Sequence, residues 1–509
     1  MAHNERRGRG GSAGRATGGL PAAALAAMLA AVLIAAGPGC GGKDADDGAA
    51  DVKYGIDGRP DPEKGKTVEE WTQRLGKGEP KDRAHAAKVL GEIGEPARPA
   101  VDALTGALDA ADEMLRVRAA VALVKIGSVT DPVVKALTAS LSGERAEAKV
   151  LAAQTLGELG PRAKPAIDAL ADLLGEFSKP VKAAAMEALK KIGPEAHPAL
   201  AEALTDSNDR VSKAAAEVLA EAGPEVLPAL GKLVASRDEE IRQRAAPLLL
   251  RHGEKAVPHL VEALKSYDVA VRLSAVEMLR DLGPKAAPAA GPLAQALKDG
   301  DTQVRTRAQE ALAAIGKPAV GAMIEMLEDE NSYARMLATD SLVSVGQPAV
   351  GPLTEAIESP VETVRAHAAE ALIKIKPGTK PALEVLVKAL GSEQQELRRL
   401  SARTLAGVKT DLTPYVGKLI AALSDETKDV RKYAAEALGH QGAAAKAAVP
   451  ALTKLIKDLD EEIAIAALKA LGAMGKAAAP AVPQIEKLRD HPNILIQGAA
   501  ESALEKIKK

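Results

Sequence analysis

Apolar residues along this chain recur at helical spacing. In the stretch ending at Lys376, Val364, Ala368, Ala371, Leu372 and Ile375 follow one another at steps of four, three, one and three. That spacing places all five on one face of a helix. A shorter apolar run precedes it in most such stretches, often opened by proline, as in Pro165 with Ile167, Leu170, Leu173 and Leu174, or Pro258 with Leu260, Val261 and Leu264. Proline is tolerated in a first helical turn, where its missing N–H would be unpaired in any case. No stretch alternates apolar with polar residues, so the pattern predicts helix, turn, helix, turn and no sheet.

The pair of helices recurs fourteen times at steps of 30 or 33 residues. Its register is carried by Leu90, Leu123, Leu156, Leu189, Leu219, Leu249, Leu279, Leu312, Leu342, Leu372, Leu405, Leu438, Leu471 and Leu504. Four residues before each stands alanine, replaced once by Ser401, and four residues after stands glycine in eleven units, from Gly94 to Gly475. The small residue predicts close approach of neighbouring helices. Glycine predicts a helix end with a left-handed residue. A period of this length means that each unit buries its apolar face only against its neighbours. With layers roughly 8 to 10 Å apart, the array should be elongated and curved, with a contour on the order of 110 to 140 Å.

The phrases Val364 to Leu372 (VRAHAAEAL), Val430 to Gly439 (VRKYAAEALG) and Glu187 to Gly193 (EALKKIG) resemble HEAT repeats of the phycobilin-lyase-like subtype. The resemblance covers roughly residues 67 to 508 and implies an all-α, right-handed α-solenoid of about 14 helix pairs. It says little about activity, because such repeats occur in enzymes, adaptors and scaffolds alike.

Composition narrows the partner classes. Aromatic residues make up 1% of the 509, with Trp71 and Phe177 alone of their kinds. The core is therefore aliphatic, and stacking platforms for single-stranded nucleic acid or sugars are missing. Without residues 1–40, 63 basic residues face 68 acidic ones, so no nucleic-acid partner is expected.

The N-terminal 40 residues read as a secretory signal: Arg6, Arg7, Arg9 and Arg15, then a mostly apolar run from Leu20 to Ala36, then Gly37-Pro38-Gly39-Cys40. The end of this segment resembles a bacterial lipoprotein signal, which implies lipid on Cys40, cleavage before it, and membrane attachment. Gly37 stands where that pattern has leucine, and ordinary secretory cleavage or an uncleaved anchor helix are the alternatives. Gly41 after the cysteine implies outer-membrane sorting, with the array facing the periplasm. Residues 41–66, charged and rich in glycine and proline, read as a disordered tether ahead of the array at 67–509. With a single cysteine, no disulfide supports the fold.

Motifs for chemistry fail on context. Gly10 to Gly14 mimics a nucleophile elbow and Gly37 to Lys43 a phosphate loop, yet no strand precedes either, and Asp44 replaces the magnesium-binding hydroxyl. Deoxyhypusine hydroxylase, a repeat relative, binds iron through histidine-glutamate pairs. Here His85, His197, His252, His259, His367, His440 and His491 are each followed by another residue. A bilin lyase activity has no identifiable residue to carry it. His252 and His259 flank a turn, where paired histidines are more commonly solvated than metal-bound. No metal or other cofactor is expected.

Two ladders remain. Seven residues before the marker leucine, a basic residue recurs, most regularly as Arg242, Arg272, Arg305, Arg335, Arg365, Arg398 and Arg431. Aspartates six residues before this position, Asp206, Asp299, Asp329, Asp425 and Asp458, sit at the turn between helices. In HEAT arrays such residues form a structural ladder between units; a phosphate-binding strip is the rival reading, since the arginine fork suits both. Two residues before the leucine stand Glu187, Glu217, Glu277, Glu310, Asp340, Glu370 and Glu436, interrupted by Pro247 and Arg403. If second helices line the inner curve, as the resemblance implies, these acids form a concave groove for a basic or amphipathic segment of another protein. Glutamate is also simply a good exposed helix former. Trp71 at one end and Lys506, Lys508 and Lys509 at the other predict capping units, the last one polar. The reading is a non-catalytic interaction scaffold, lipid-anchored in a bacterial envelope. An enzyme or enzyme accessory related to deoxyhypusine hydroxylase or phycobilin lyase is the alternative.

Overall fold

A computed structural model of the chain describes residues 66–509. Cys40, the signal-like segment and nearly all of the proposed tether lie outside the described residues. The chain divides into Met1–Thr67 and Val68–Lys509, and every described helix belongs to the second unit.

Twenty-eight α-helices follow one another as fourteen pairs, and no strand occurs among the described residues. First helices are short, from 5 residues in Val482–Glu486 to 11 in Asp131–Leu141. Second helices run from 12 residues in Asp209–Ala220 to 15 in Ile494–Lys508. Every marker leucine lies in a second helix and is at most 2% exposed, while the small residues four positions earlier, Ser401 included, are all at 0%. The main apolar core runs from Trp71 to Ile507, with Ala263, Val271 and Ala275 forming a small cluster of their own.

The alternation of period has a structural identity. Steps of 30 residues enter the first helix through a three- or four-residue 3-10 turn, as in Gln347–Ala349 and Gly253–Ala256. Most steps of 33 use six or seven, as in Glu95–Ala100 and Gly283–Ala289. In those steps the extra three residues add one 3-10 turn, a frequent element at helix termini. Before Leu156 and Leu405 the 33-residue step lacks this turn and the first helix itself is longer, at Asp131–Leu141 and Lys380–Ala389, whereas before Leu438 the turn is the short Thr413–Tyr415 and the extra residues lie in the loop ahead of it.

Second helices begin on a capping side chain in many units: Asp301 accepts from the backbone N–H of Gln303 and Val304, and Asn331 from those of Tyr333 and Ala334. Such caps satisfy donors that the first turn leaves unpaired. At the other end the structure corrects the expectation of a left-handed helical residue. Among the helix-capping glycines Gly94, Gly127, Gly160, Gly193, Gly283, Gly316 and Gly346, Gly127 adopts it, with φ 88° and ψ 12°, and Ser128 N–H returns to the Leu123 carbonyl. Gly346, with φ 72° and ψ −134°, has the mirror image of polyproline II, which a Cβ atom excludes. Gly223 needs no such freedom, since its φ is −73°.

Second helices also approach closely where glycine follows the leucine directly: a Cβ on Gly91, Gly157, Gly439 or Gly472 would lie 2.8, 2.9, 3.0 or 3.1 Å from the Cα of Ala122, Ala188, Ala470 or Ala503. All four junctions are 33-residue steps. The ends differ from each other. Trp71 is buried at 3% and meets His85 edge-on at 5.6 Å, so the first pair closes on an aromatic contact. The last pair is not polar throughout, because Ile494 and Leu495 are 77% and 66% exposed.

Candidate interaction surface

The arginines of the basic ladder turn inward onto their own units. In Arg242, Arg272, Arg305, Arg335, Arg365, Arg398 and Arg431, Nη1 donates to the carbonyls six and five residues earlier, at 2.5 to 3.2 Å. One fork therefore closes each turn between helices, using the planar geometry that lysine lacks. Four basic side chains also reach the following unit. Arg272 binds Asp299 at 2.7 Å, Arg398 binds Asp425 at 2.8 Å, Arg431 binds Asp458 at 3.0 Å, and Lys149 binds Glu176 at 2.5 Å. Each partner lies 27 residues on, which is the next turn when the step is 33.

In the shorter steps the ladder is broken. Arg305 binds Thr302 of its own helix besides the turn carbonyls and meets no carboxylate of the next unit among the described residues; its guanidinium lies over the Tyr333 ring at 5.3 Å instead, and its Nε is buried without a hydrogen-bond partner. The aspartates also hold their own turns: Asp206, Asp299, Asp329, Asp425 and Asp458 each accept the backbone N–H two residues later. Arg242, Arg335 and Arg398 are 6 to 8% exposed, so their forks are occupied inside the array and not presented to a phosphate.

The acidic positions do not form one uniform stripe. Glu187 and Glu217 are exposed. Glu187 has Lys191 near it, at 3.9 Å. Glu277 and Glu310 share Arg307, at 3.6 and 2.8 Å, and Glu310 also meets Arg280 at 3.4 Å. The hydrogen bond from Arg307 holds the Glu310 carboxyl below its usual range. Asp340 faces Lys374 at 3.3 Å, and Glu436 is half-buried.

Glu370 corrects the expectation of a solvent-facing acid, because it is 2% exposed. Lys374 lies 3.1 Å away, Arg403 of the next unit 3.0 Å, and His367 Nδ1 3.7 Å. Burial alone would raise its carboxyl, yet His367, Lys374 and Arg403 outweigh burial and hold it at about 2. Arg403, which interrupts the stripe in sequence, thus neutralises it in space.

This contact belongs to a polar network through three units. Thr339 Oγ1 donates to the Arg335 carbonyl at 2.8 Å and lies 3.2 Å from His367 Nδ1. Since the hydroxyl has spent its proton on that carbonyl, Nδ1 carries the hydrogen that joins the pair. Arg335 Nη2 reaches Glu396 at 2.5 Å, 61 residues on. No His-Glu dipeptide marks the pair in the sequence: His367 and Glu370 are three apart, the spacing that shares a helix face. Among the described residues no three metal-ligating side chains converge, here or around His252 and His259.

Toward the C-terminus the same face loses its acids. At the acidic position Glu436 gives way to Lys469 and Ser502, and Ile465, Ala466, Leu495 and Ala499 line the groove between the last three second helices.

Taken together, these elements define an all-α repeat solenoid whose second helices present a graded face: acidic in its middle, internally neutralised near Glu370, apolar at its end. A family model described as HEAT repeats matches residues 68–157, 134–220, 167–251, 227–313, 290–373, 322–407 and 416–505. The chain belongs to the HEAT repeat family. No curated protein matches it. Among solved structures it is similar to an engineered protein at 23% identity, over 87% of this chain and 99% of that one, with a TM-score of 0.27. It is also similar to Kap95p in a structure with RanGDP, at 13% identity over 87% and 67% with a TM-score of 0.39. Kap121p bound to Pho4p matches at 13% identity with a TM-score of 0.40, and the chain, 86% of it aligned, covers 53% of that protein.

Proposed function

We propose that the protein is a non-catalytic interaction scaffold that holds a protein partner along the exposed face of its second helices. The observation that carries this reading is the acid at one repeated position, exposed at Glu187 and Glu217 and continued by Glu277, Glu310 and Asp340 beside Arg307, Arg280 and Lys374, on an array whose ladder arginines are turned inward. Such a surface suits a basic or amphipathic segment, because complementary charge steers encounter and sets register. Glu370 is left out of that surface, since its charge is spent on Lys374 and Arg403.

We also propose that the array is tethered to a bacterial envelope by lipid on Cys40, within the phycobilin-lyase-like branch of the repeat. The support is the order of basic residues, apolar run and lone cysteine in the sequence. Intact mass of the protein from its native membrane tests the anchor: loss of residues 1–39 with added acyl mass is expected, and an unprocessed N-terminus overturns it. Crosslinking in the envelope followed by mass spectrometry identifies the partner. Reversal of Glu187, Glu217 and Glu310 to lysine should then abolish that crosslink at low salt. An unchanged crosslink rejects the acidic groove.

A further inference from the structure

The groove between the last three second helices, Lys428–His440, Glu461–Ala473 and Ile494–Lys508, differs in chemistry from the face upstream. It is a cleft of about 810 Å³. Its floor is unusually low because Gly439 and Gly472 lie against Ala470 and Ala503, where a Cβ would come within 3.0 and 3.1 Å of the Cα. Gly498 deepens it further. It sits inside Ile494–Lys508 with no atom within 4 Å of where its Cβ would be, so packing does not require glycine there. A glycine inside a helix is less favourable than alanine by about 1 kcal/mol. What this one provides is open space.

The walls supply both apolar surface and charge. Leu495 is 66% exposed over the cleft, beside half-buried Ile465 and Ala499. Leu495 is oriented by the cap at Asn493, which binds its backbone N–H at 2.8 Å. Lys508 and Lys509 are paired with Glu486 and Glu505, whereas Lys469 and Lys506, on the cleft, keep no carboxylate partner among the described residues. Glu436, from the first of the three helices, also lines the cleft, so its positive charge is confined to the side of Lys469 and Lys506. Two ammonium groups there, beside an exposed leucine and a small-residue floor, match one kind of occupant. A helix can lie close to such a floor, place its own apolar stripe on Leu495 and Ile465, and bring carboxylates to the lysines.

We propose that this groove seats an amphipathic helix of a partner protein, with acidic residues flanking its apolar stripe. The proposal rests on the reading of the second-helix face as a binding surface, but not on the acidic positions upstream. The charge it selects is opposite to theirs.

The test uses the full chain and two synthetic amphipathic helices that share one leucine and alanine face and differ only in glutamate or lysine flanks. By fluorescence anisotropy the glutamate-flanked peptide should bind about tenfold tighter or better. Lys469→Glu should invert that preference, and Leu495→Asp should weaken binding about tenfold, as loss of a central anchor does. Leu459→Asp, at an equally apolar residue 102% exposed on a turn, should change nothing. Both lysine and leucine side chains are exposed, so the variants should fold, and circular dichroism verifies it; Leu495→Ser replaces any that do not. Equal affinity of the two peptides, or binding indifferent to Leu495 and Lys469, overturns the proposal. A concentration-dependent dimer in sedimentation that Leu495→Asp abolishes overturns it too, by giving the groove to a second copy. Reversal of Glu187, Glu217 and Glu310 should leave the glutamate-flanked peptide bound, which separates failure here from failure of the acidic groove.

Discussion

The Glu370 carboxylate accepts a 3.0 Å hydrogen bond from the Arg403 guanidinium of the next unit, at a repeat position where exposed acids stand in the units of Leu189, Leu219 and Leu312. The pair joins the buried carboxylate of one rung to an exposed guanidinium, between the helices Glu362–Ile375 and Gln395–Gly407. Removing Arg403 takes away one of the three groups, with His367 and Lys374, that compensate the buried carboxylate.

Glu370 therefore makes this junction acid-sensitive. Its carboxyl is held at about 2 against an ordinary value of 4.5. A depressed pKa contributes stability that is complete above the unfolded value and is lost as pH falls through the folded one. The loss should begin near pH 4.5 and end near 2, and amount to about 3 kcal/mol. Hydrogen exchange of the two helices at the junction reads it directly. Glu370→Gln should lower protection there at neutral pH and remove this part of the pH dependence; a junction equally protected at pH 3 and 7 would contradict the assignment.

The arginine ladder predicts a graded response. Arg398 binds the carbonyls of Ser392 and Glu393 together with Asp425 and Glu426, whereas Arg365 binds only the carbonyls of Ser359 and Pro360. Arg398→Lys keeps the charge and loses the fork, and should destabilise by about 1–3 kcal/mol in urea unfolding. Arg365→Lys should cost less than half of that. Because a repeat array need not unfold in one step, the comparison is made on the transition that reports the mutated units.

Two glycines in second helices should respond in opposite directions to alanine. Gly91→Ala sets a Cβ 2.8 Å from the Ala122 backbone and should destabilise in spite of the better helix propensity. Gly498→Ala meets nothing within 4 Å and should stabilise its helix by about 0.5–1 kcal/mol. Thermal unfolding of the two variants checks the sign of each.

Ser401 occupies the buried position that is alanine in every other unit, and its hydroxyl has no hydrogen-bond partner. Ser401→Ala should stabilise the array by about 1 kcal/mol, measured in the same urea series. A destabilised variant would reveal a partner for the hydroxyl.

By itself the sequence determined the units: fourteen leucines at helical register specify the helix pairs, because an apolar face is set within a few turns of local chain. It also placed the arginines at the turns they close, since donor and carbonyls are five and six residues apart. What lay beyond it were contacts between units. The burial of Glu370, the link from Arg335 to Glu396, the Gly91 to Ala122 approach and the apolar end of the face all join residues separated by about one or two repeats. Their geometry depends on how far each unit is shifted and rotated on the last. That step is set by the sum of packing along the stack, by one additional 3-10 turn here and one glycine there, and no local periodicity encodes it.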